Sequence, residues 1–320
     1  MNKIKETIAE HYGLIVSQLA PQQGGWSSLA YKMTAGNRSY FLKMYEKNRA
    51  STPKWTTLIN EYVPVLIWLH HHSMLKGKIP VPLTTKDSHY QCANEDGIFL
   101  LYEYIDGDTI GARDLTDNQA AQLSEIIAEL HSYDDQLPIR TEMLKEDFSL
   151  PFAKQLKQLL IGRFSTVPSD LSEVISPFTD QLKELIDVIE NLSRELQQRP
   201  LRNALCHTDL HSWNLMQANE QLILLDWEGL RLAPVEADFI FLVDQPFYDT
   251  FLSVYKKWHP DFVLKPDILR FYQGRRRLED IWEWVEQYLF DQQDAEERTK
   301  TLASLTKELK EMELHYSDFI

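Results

Sequence analysis

The residues of this sequence that are best suited to do chemistry lie in one polar loop and just after it. The loop reads His-Thr-Asp-Leu-His-Ser-Trp-Asn from His207 to Asn214, and Asp226 follows twelve residues later, after an apolar run. Mg²⁺ prefers oxygen ligands, usually one or two carboxylates together with phosphate and water, and Asn214 and Asp226 could supply them. Asp209 could then stay off the metal and accept a proton from a hydroxyl group. Acid, amide and acid at these intervals predict a metal-phosphate centre, although each residue taken singly would be an ordinary turn former.

Two short apolar runs flank this loop and predict the strands that position it. Residues 204–206 precede the loop, and the run Leu222-Ile-Leu-Leu ends immediately before the second acid. After residue 115 the pattern is otherwise helical, starting with a capping box formed by Thr116 and Gln119. Helical periodicity recurs near residues 152–163, 176–197, 246–257, 266–291 and 293–314.

The first hundred residues show a different pattern, a helix followed by mixed strands. Ile4, Ile8 and Tyr12 recur at helical spacing, and the alternating stretches 29–33 and 39–45 are typical of strands. Glycines at positions 24, 25 and 36 mark turns around these strands. Residues 54–72 predict one long helix with a kink at Pro64, and residues 97–105 predict a buried strand that ends at an Asp-Gly-Asp turn.

These patterns predict an α+β fold with two lobes and a short hinge. We expect residues 1–105 to form a nucleotide-binding lobe and residues 106–320 to form a mainly helical lobe with the catalytic loop and the acceptor site. A chain of 320 residues is long for a single minimal core, which agrees with two lobes.

Composition narrows the class of protein. The net charge is −15 and the isoelectric point is about 5.1, so the protein should repel nucleic acid and anionic membranes and could suit a cationic substrate. Cys92 and Cys206 are too few and too far apart for a disulfide framework or a zinc site. The first ten residues lack the apolar run of a signal peptide, and no stretch is long enough to span a bilayer. We therefore expect a cytoplasmic protein.

The motif His-x-Asp-x-His-x-x-Asn followed by Asp-Trp-Glu resembles the aminoglycoside phosphotransferase family, which shares the two-lobe protein-kinase-like fold. The spacing of five between Asp209 and Asn214 matches the catalytic loop of kinases. The resemblance extends over most of the chain, and the stretches 226–241 and 271–281 are most similar to the spectinomycin phosphotransferase branch. It implies an antiparallel N-terminal sheet with helices and a larger, mainly helical C-terminal lobe.

The resemblance also implies roles for the loop residues. Asp209 would orient and deprotonate the substrate hydroxyl, while Asn214 and Asp226 would hold Mg²⁺. His207 is expected to brace the loop by hydrogen bonding. His211 stands where protein kinases carry a lysine, so it is expected near the transferred phosphate as a second catalytic residue, with an ordinary surface position as the alternative.

For the first lobe, the resemblance implies a nucleotide clamp. Lys43 would contact the α- and β-phosphates, and Glu61 on the following helix would be its ion-pair partner. A loop between the first two strands lacks the full Gly-x-Gly-x-x-Gly pattern but would bring backbone N–H groups to phosphate at Gly24, Gly25 and Ser27. Backbone groups of Glu103 and Ile105, at the hinge, would bind adenine.

Two departures from the family pattern concern the acceptor side and the metal. Trp213 replaces a small residue of the family loop and could shape the substrate side or pack under the loop. Glu228 stands where protein kinases have glycine. Acidic residues among tryptophans near the C-terminus, with Glu279 and Asp280 as our candidates, would suit an alkylammonium or amino sugar. The alternative is an amphipathic helix with a solvated acidic face.

The leading hypothesis is an enzyme of the alcohol-phosphotransferase type, which transfers the γ-phosphate of ATP to a hydroxyl of a small, cationic aminocyclitol or aminoglycoside. GTP stays open as a donor. A metabolic kinase of choline, ethanolamine, methylthioribose or homoserine is the near alternative, and a non-catalytic nucleotide-binding pseudokinase is the third. The sequence leaves open whether the protein is a monomer or a homodimer.

Overall fold

A computed structural model describes residues 1–22, 24–162 and 167–319 of the chain. The chain divides into two units, each with its own core. The first comprises Met1–Asn48, Thr52–Lys145 and Asn203–Phe262, and the second comprises Arg49–Ser51, Glu146–Arg202 and Val263–Ile320. The first unit thus contains the expected nucleotide-binding residues and the catalytic loop together. The functional boundary at residue 105 stays a prediction.

The strands all belong to the first unit. They are β1 (Val16–Gln22), β2 (Leu29–Ala35), β3 (Arg38–Glu46), β4 (Cys92–Ala93), β5 (Gly97–Glu103), β6 (Asp108–Thr109), β7 (Ala204–Cys206), β8 (Leu215–Ala218), β9 (Gln221–Leu224) and β10 (Arg231–Ala233). The helices of this unit are α1 (Asn2–Tyr12), α2 (Thr52–Thr56), α3 (Ile59–His72), α4 (Asp117–Leu130), α8 (Glu236–Phe239) and α9 (Tyr248–Trp258).

The second unit is helical. It contains α5 (Ala153–Leu160), α6 (Ser169–Ile175), α7 (Thr179–Gln197), α10 (Pro266–Phe290), α11 (Ala295–Leu314) and α12 (Tyr316–Phe319). The helical stretches predicted after residue 115 are confirmed, except that the end of the 152–163 stretch, residue 163, lies outside the described residues. None of the helices described is long and apolar enough to cross a bilayer.

The main sheet is antiparallel, with strand order β1-β2-β3-β5-β4, as predicted for the N-terminal part. Successive side chains of a strand point to opposite faces, and β3 uses both faces differently. Leu42 and Met44 belong to a core cluster that includes Ile4 and Ile8 of α1. Phe41, Lys43 and Tyr45 alternate with these two residues along β3 and therefore point to the other face of the sheet, where the site lies.

The helix predicted at 54–72 is in fact two helices, and the expectation of one long helix was wrong. The break falls at Thr57 and Leu58, and Pro64 lies inside α3. Near the break, Thr56 and Thr57 each turn their hydroxyl back to a carbonyl one turn earlier, at 2.9 and 2.6 Å. Threonine hydroxyls that bond the carbonyl one turn earlier slightly destabilise a helix and often bend it, which agrees with a break at this point.

Short strands frame the polar loop. β7 pairs with β10, and β8 pairs with both β6 and β9. The runs at 204–206 and 222–225 therefore form strands as predicted, except that Leu225 lies just after the end of β9. β8 lies in a stretch without a clear alternation. The polar loop runs from the end of β7 to the start of β8, and the second acid follows β9.

Candidate active site

The catalytic loop brings its predicted residues together around one carboxylate. The Asn214 side-chain amide donates to the Asp209 carboxylate Oδ2 at 2.8 Å and to the Asp209 backbone carbonyl at 2.9 Å. The His211 Nε2 lies 3.3 Å from the same Oδ2. The Asp209 side chain is 26% exposed and the Asn214 residue is buried. The carboxylate is thus held by a neighbouring side chain and stays partly exposed, and a group that accepts a proton from a ligand must be within reach of that ligand.

A buried aspartate fixes the backbone of this loop from below. The Asp238 carboxylate accepts from the N–H of His207 at 3.0 Å, from the N–H of Thr208 at 2.5 Å and from His131 Nε2 at 2.9 Å. Thr208 has φ of 69°, a left-handed conformation that a β-branched residue rarely adopts. The His131 Nδ1 in turn lies 2.8 Å from the Tyr255 hydroxyl. This chain holds the residue next to Asp209 in a strained shape.

His207 ties the loop to the segment that carries the second acid. Its Nδ1 accepts from the N–H of Asp209 at 3.2 Å, and its Nε2 lies 2.7 Å from the Leu225 carbonyl. A carbonyl only accepts, so Nε2 carries the proton and the ring is a bridge rather than a base. The ring also meets Trp227 edge to face, at 4.7 Å between centroids. The bracing role expected of His207 agrees with these contacts.

Asp226 is placed beside the loop by backbone contacts. The Leu225 N–H donates to the Asn214 carbonyl at 2.8 Å, so the next residue begins alongside Asn214. Asp226 itself is left-handed, with φ of 59° and ψ of 72°. This conformation turns the carboxylate out of the strand direction of β9, and 41% of the side chain is exposed.

The oxygens that meet here fit a magnesium ion. Both amide hydrogens of Asn214 are directed at Asp209, which leaves its carbonyl oxygen for another partner. Asp226 contributes an exposed carboxylate from the adjacent segment. One amide oxygen and one carboxylate leave room for phosphate oxygens and water, which Mg²⁺ keeps among its ligands. The metal roles predicted for the two residues remain predictions that this donor set supports.

Lys43 is held by two carboxylates. Its Nζ lies 2.6 Å from Glu228 Oε1 and 3.0 Å from Asp226 Oδ1, and 7% of its side chain is exposed. Burial alone would lower the pKa of Lys43, but the two carboxylates outweigh it and raise that pKa well above its ordinary value. The lysine is therefore charged where it lines the cavity described below.

The predicted ion pair between Lys43 and Glu61 is not present, and this expectation was wrong. The carboxylates that bond Lys43 are those of Asp226 and Glu228. Glu61 lies on α3 as expected and is partly buried. Any contribution of Glu61 to nucleotide binding stays a prediction.

A cavity opens beside Lys43 within the first unit. It is lined on one side by the sheet and hinge and on the other by the segment around β8 and β9, with many apolar residues: Phe41, Leu66, Pro80, Tyr102, Ile105, Met216, Leu225 and Trp227. Glu103 and Ile105 line it, as expected of the hinge. A cavity with apolar walls, a charged lysine and a carboxylate has the character of a nucleotide site. The base would contact the apolar walls, and the phosphates would lie near the lysine.

The glycine loop reaches the acidic end of this cavity. A Cβ added at Gly25 would lie 3.9 Å from Asp226 Oδ2, so the backbone there is close to the carboxylate. A Cβ at Gly24 would lie 2.9 Å from the Ser28 carbonyl, which makes glycine necessary for the turn. Ser27 is half-buried in the same turn. The expectation that this loop meets phosphate is a prediction that its position supports.

The predicted acceptor residues fall in different places. Trp213 is 56% exposed and packs over Gly111, where an added Cβ would lie 3.2 Å from the indole. Glu279 and Asp280 belong to α10 of the second unit. There Asp280 pairs with Arg276 at 2.8 Å, and burial raises the pKa of its carboxyl. The acceptor role of all three stays a prediction.

Two contributors to the site were not assigned by the sequence reasoning. Asp238 carries the loop although it lies twenty-nine residues beyond Asp209, and no local pattern marks such a contact. Glu228 was noted only as a departure from the kinase glycine, yet it is the nearest partner of Lys43. The sequence feature that could have identified Glu228 is its position as a second acid, two residues after Asp226.

Comparison with known proteins agrees with this geometry. A model of the phosphotransferase enzyme family matches residues 18–279, which confirms the family resemblance. Protein StrN of Streptomyces griseus is 23% identical over 226 residues, which are 67% of this chain and 66% of StrN, so the match spans just under two thirds of that relative.

Solved structures share the fold over nearly the whole chain. Spectinomycin phosphotransferase APH(9)-Ia, in complex with ADP and spectinomycin, has a TM-score of 0.74 and 19% identity, and the match covers 99% of this chain and 98% of that one. A microcompartment-associated aminopropanol kinase has a TM-score of 0.65 and 15% identity, with 100% and 99% covered. The predicted kinase-like α+β fold is confirmed.

Proposed function

We propose that this chain, which belongs to the phosphotransferase enzyme family, transfers the γ-phosphate of Mg²⁺-bound ATP to a hydroxyl group of a small cationic molecule. As a member of that family it is a phosphotransferase that acts on hydroxyl groups. Beyond family membership, we propose the identity of the nucleotide and the metal, the roles of the residues and the class of acceptor. Two observations carry it together: Asn214 bonds the Asp209 carboxylate on one loop, and Lys43 pairs with Asp226 in the lining of one cavity.

In this mechanism Asp209 binds the acceptor hydroxyl and takes its proton as the oxygen attacks phosphorus. The bond from the γ-phosphorus to the bridging oxygen breaks, and that oxygen leaves with ADP. Asn214 supports Asp209 by donating to its Oδ2, which fixes the orientation of the carboxylate. Phosphoryl transfer asks mainly for positioning and charge neutralisation, and these residues provide the positioning.

We assign the ATP site to the cavity that Lys43 and Asp226 line. The base would contact the apolar walls of the cavity, and Lys43 would meet the phosphates. Asn214 and Asp226 would hold Mg²⁺, which supplies charge neutralisation when bound. ATP is the proposed donor because ADP is bound by the structural relative described above.

The acceptor is proposed to be a cationic amino alcohol, with an aminocyclitol or aminoglycoside as the first choice. The net charge of −15 favours the approach of a cation. Two relatives of the same fold are kinases of spectinomycin and of aminopropanol, and both compounds carry amino and hydroxyl groups. The common feature is a hydroxyl near an amine rather than one particular molecule.

The test combines an acceptor panel with one substitution. ADP release is measured with spectinomycin, aminopropanol and other hydroxylated amines, and then for Asp209→Asn. We expect turnover with at least one acceptor and a loss of about 10²–10⁴-fold in kcat for the variant, the usual effect of removing a general base. Its Mg·ATP affinity should stay close to wild type because Lys43 and the metal ligands are intact.

Asp244→Asn is the matched control, since Asp244 is an exposed aspartate outside the cavity lining. It should leave both turnover and affinity unchanged. Full activity of Asp209→Asn would contradict the mechanism. Tight ATP binding without turnover on any acceptor would instead favour a nucleotide-binding module.

A further inference from the structure

We infer that Glu228, fixed by the hydroxyl of Tyr45, positions Lys43 for the nucleotide phosphates and that it does not ligate the metal. This inference rests on the proposed function, because it assigns the residue that prepares the donor site. It gives Glu228 the task that the sequence reasoning had given to Glu61. Glu228 is a positioning residue here, since it acts through the lysine.

The first support is the sharing of one carboxylate oxygen. Glu228 Oε1 accepts from Lys43 Nζ at 2.6 Å and also from the Tyr45 hydroxyl. Lys43 and Tyr45 are two residues apart on β3, so their side chains leave the sheet on the same face. The strand therefore presents an ammonium and a hydroxyl side by side, at the spacing that one carboxylate oxygen can bridge.

The second support is the difference in exposure between the two acids. The Glu228 side chain is 7% exposed, whereas the Asp226 side chain is 41% exposed. A metal ligand must face the nucleotide and water, and Asp226 satisfies that condition. Glu228 is turned into the protein, and its bonded oxygen is occupied by two donors. Asp226 is thus available to the ligand, and Glu228 binds the lysine.

The third support is the wall of tyrosines around Glu228. Tyr45 and Tyr62 are fully buried, and Tyr102 lines the cavity beside Lys43. Burial raises the pKa of all three hydroxyls, and the nearby Glu228 carboxylate raises it further. They are therefore neutral, and Tyr45 donates to the Glu228 carboxylate. Neutral neighbours add no charge that competes with Lys43, and the hydrogen bond from Tyr45 offsets part of the cost of burying the carboxylate.

The experiment separates a lysine-positioning role from a metal role by measuring ATP affinity with and without Mg²⁺. Glu228→Gln keeps the shape and removes the charge. Without metal, in EDTA, we expect ATP affinity to fall about ten- to a hundredfold, which corresponds to losing one hydrogen bond between charged groups. The ratio of affinities with and without Mg²⁺ should match wild type, because the metal ligands are unchanged.

Three variants sharpen the result. Tyr45→Phe removes only the hydroxyl and should weaken metal-free binding in the same direction by a smaller factor. This variant also carries the test if Glu228→Gln does not fold. Glu220→Gln, at an exposed position, should bind like wild type. Glu61→Gln shows the loss only if Glu61 holds the lysine instead.

The outcomes are distinguishable. If Glu228→Gln binds metal-free ATP like wild type and loses only the Mg²⁺-dependent gain, Glu228 is a metal ligand and the inference is wrong. Wild-type affinity of Tyr45→Phe, or a loss in Glu61→Gln equal to that in Glu228→Gln, would also overturn it. Failure of the wild-type protein to bind ATP in either condition would overturn the proposed function itself, and the inference with it.

Discussion

Replacing Asp238 by asparagine should destabilise the loop 207–214 by more than the loss of one hydrogen bond would. The carboxylate is fully buried and accepts from three donors, the N–H groups of His207 and Thr208 and the Nε2 of His131. Asparagine is nearly the same size but has one acceptor oxygen and an NH₂ group. One oxygen cannot replace two, so at least one N–H would face another N–H.

The magnitude follows from burial. Removing one partner of a buried charged network costs about 3–5 kcal/mol, because the other partners are left without compensation. Since Thr208 is held in a left-handed conformation by this acceptor, the relaxed loop would also lose its shape. We expect the free energy of unfolding to fall by about 3–5 kcal/mol and Tm to fall by about 4–7 degrees. Turnover should fall as well, because Asp209 follows Thr208 directly.

The assay is thermal and denaturant unfolding of Asp238→Asn together with ADP release on the best acceptor. Asp244→Asn is again the control, because it makes the same chemical change at an exposed position. A Tm within about one degree of wild type, which is less than one kcal/mol for a chain of this size, would show that the loop does not depend on this carboxylate. Normal turnover would refute the bracing argument even if stability fell.

Two further predictions concern stability away from the site. Gly274→Ala would place a Cβ 2.3 Å from Ile189 Cδ1, and overpacking of about 1–3 kcal/mol should exceed the roughly 1 kcal/mol that alanine adds to a helix; urea unfolding should show a net loss, and Gly274→Ala with Ile189→Val should be more stable than Gly274→Ala alone. Equal stability of Gly274→Ala and wild type would contradict this. Thr116→Ala removes the side-chain cap of α4, which accepts from Gln119 N at 3.3 Å, and should cost about 1 kcal/mol in urea unfolding. Thr116→Ser keeps the hydroxyl and should unfold like wild type, whereas an equal loss in both variants would show that the cap is not the cause.

The parts of the site that could be predicted from the sequence are those made by neighbours in the chain. Asp209 and Asn214 lie five residues apart on one loop, and their hydrogen bond is nearly dictated by that spacing. The strands before and after the loop are short apolar runs, so their existence was readable. The capping box at Thr116 was equally local, and the structure contains both of its hydrogen bonds.

The parts that could not be predicted depend on orientation or on distant contacts. Glu61 lies on the expected helix, but only the direction of its side chain decides whether it reaches Lys43. That direction was set by where α3 begins, and the division of the 54–72 stretch into α2 and α3 was missed. Partners as far apart as Lys43 and Glu228 leave no periodic trace in a single sequence.

The segment 225–229 links the loop that carries Asp209, the proposed proton acceptor, to Lys43, the proposed phosphate contact. Its first and last carbonyls accept from His207 Nε2 and from Thr208 Oγ1, at 2.7 and 2.8 Å. Between these ends, its two carboxylates both reach Lys43. Five residues anchored at both ends cannot shift one carboxylate without moving the other. The placement of Lys43 relative to Asp209 therefore depends on side-chain hydrogen bonds and ion pairs to this segment, and a substitution that loosens either end should impair the proposed acceptor activation and nucleotide binding together.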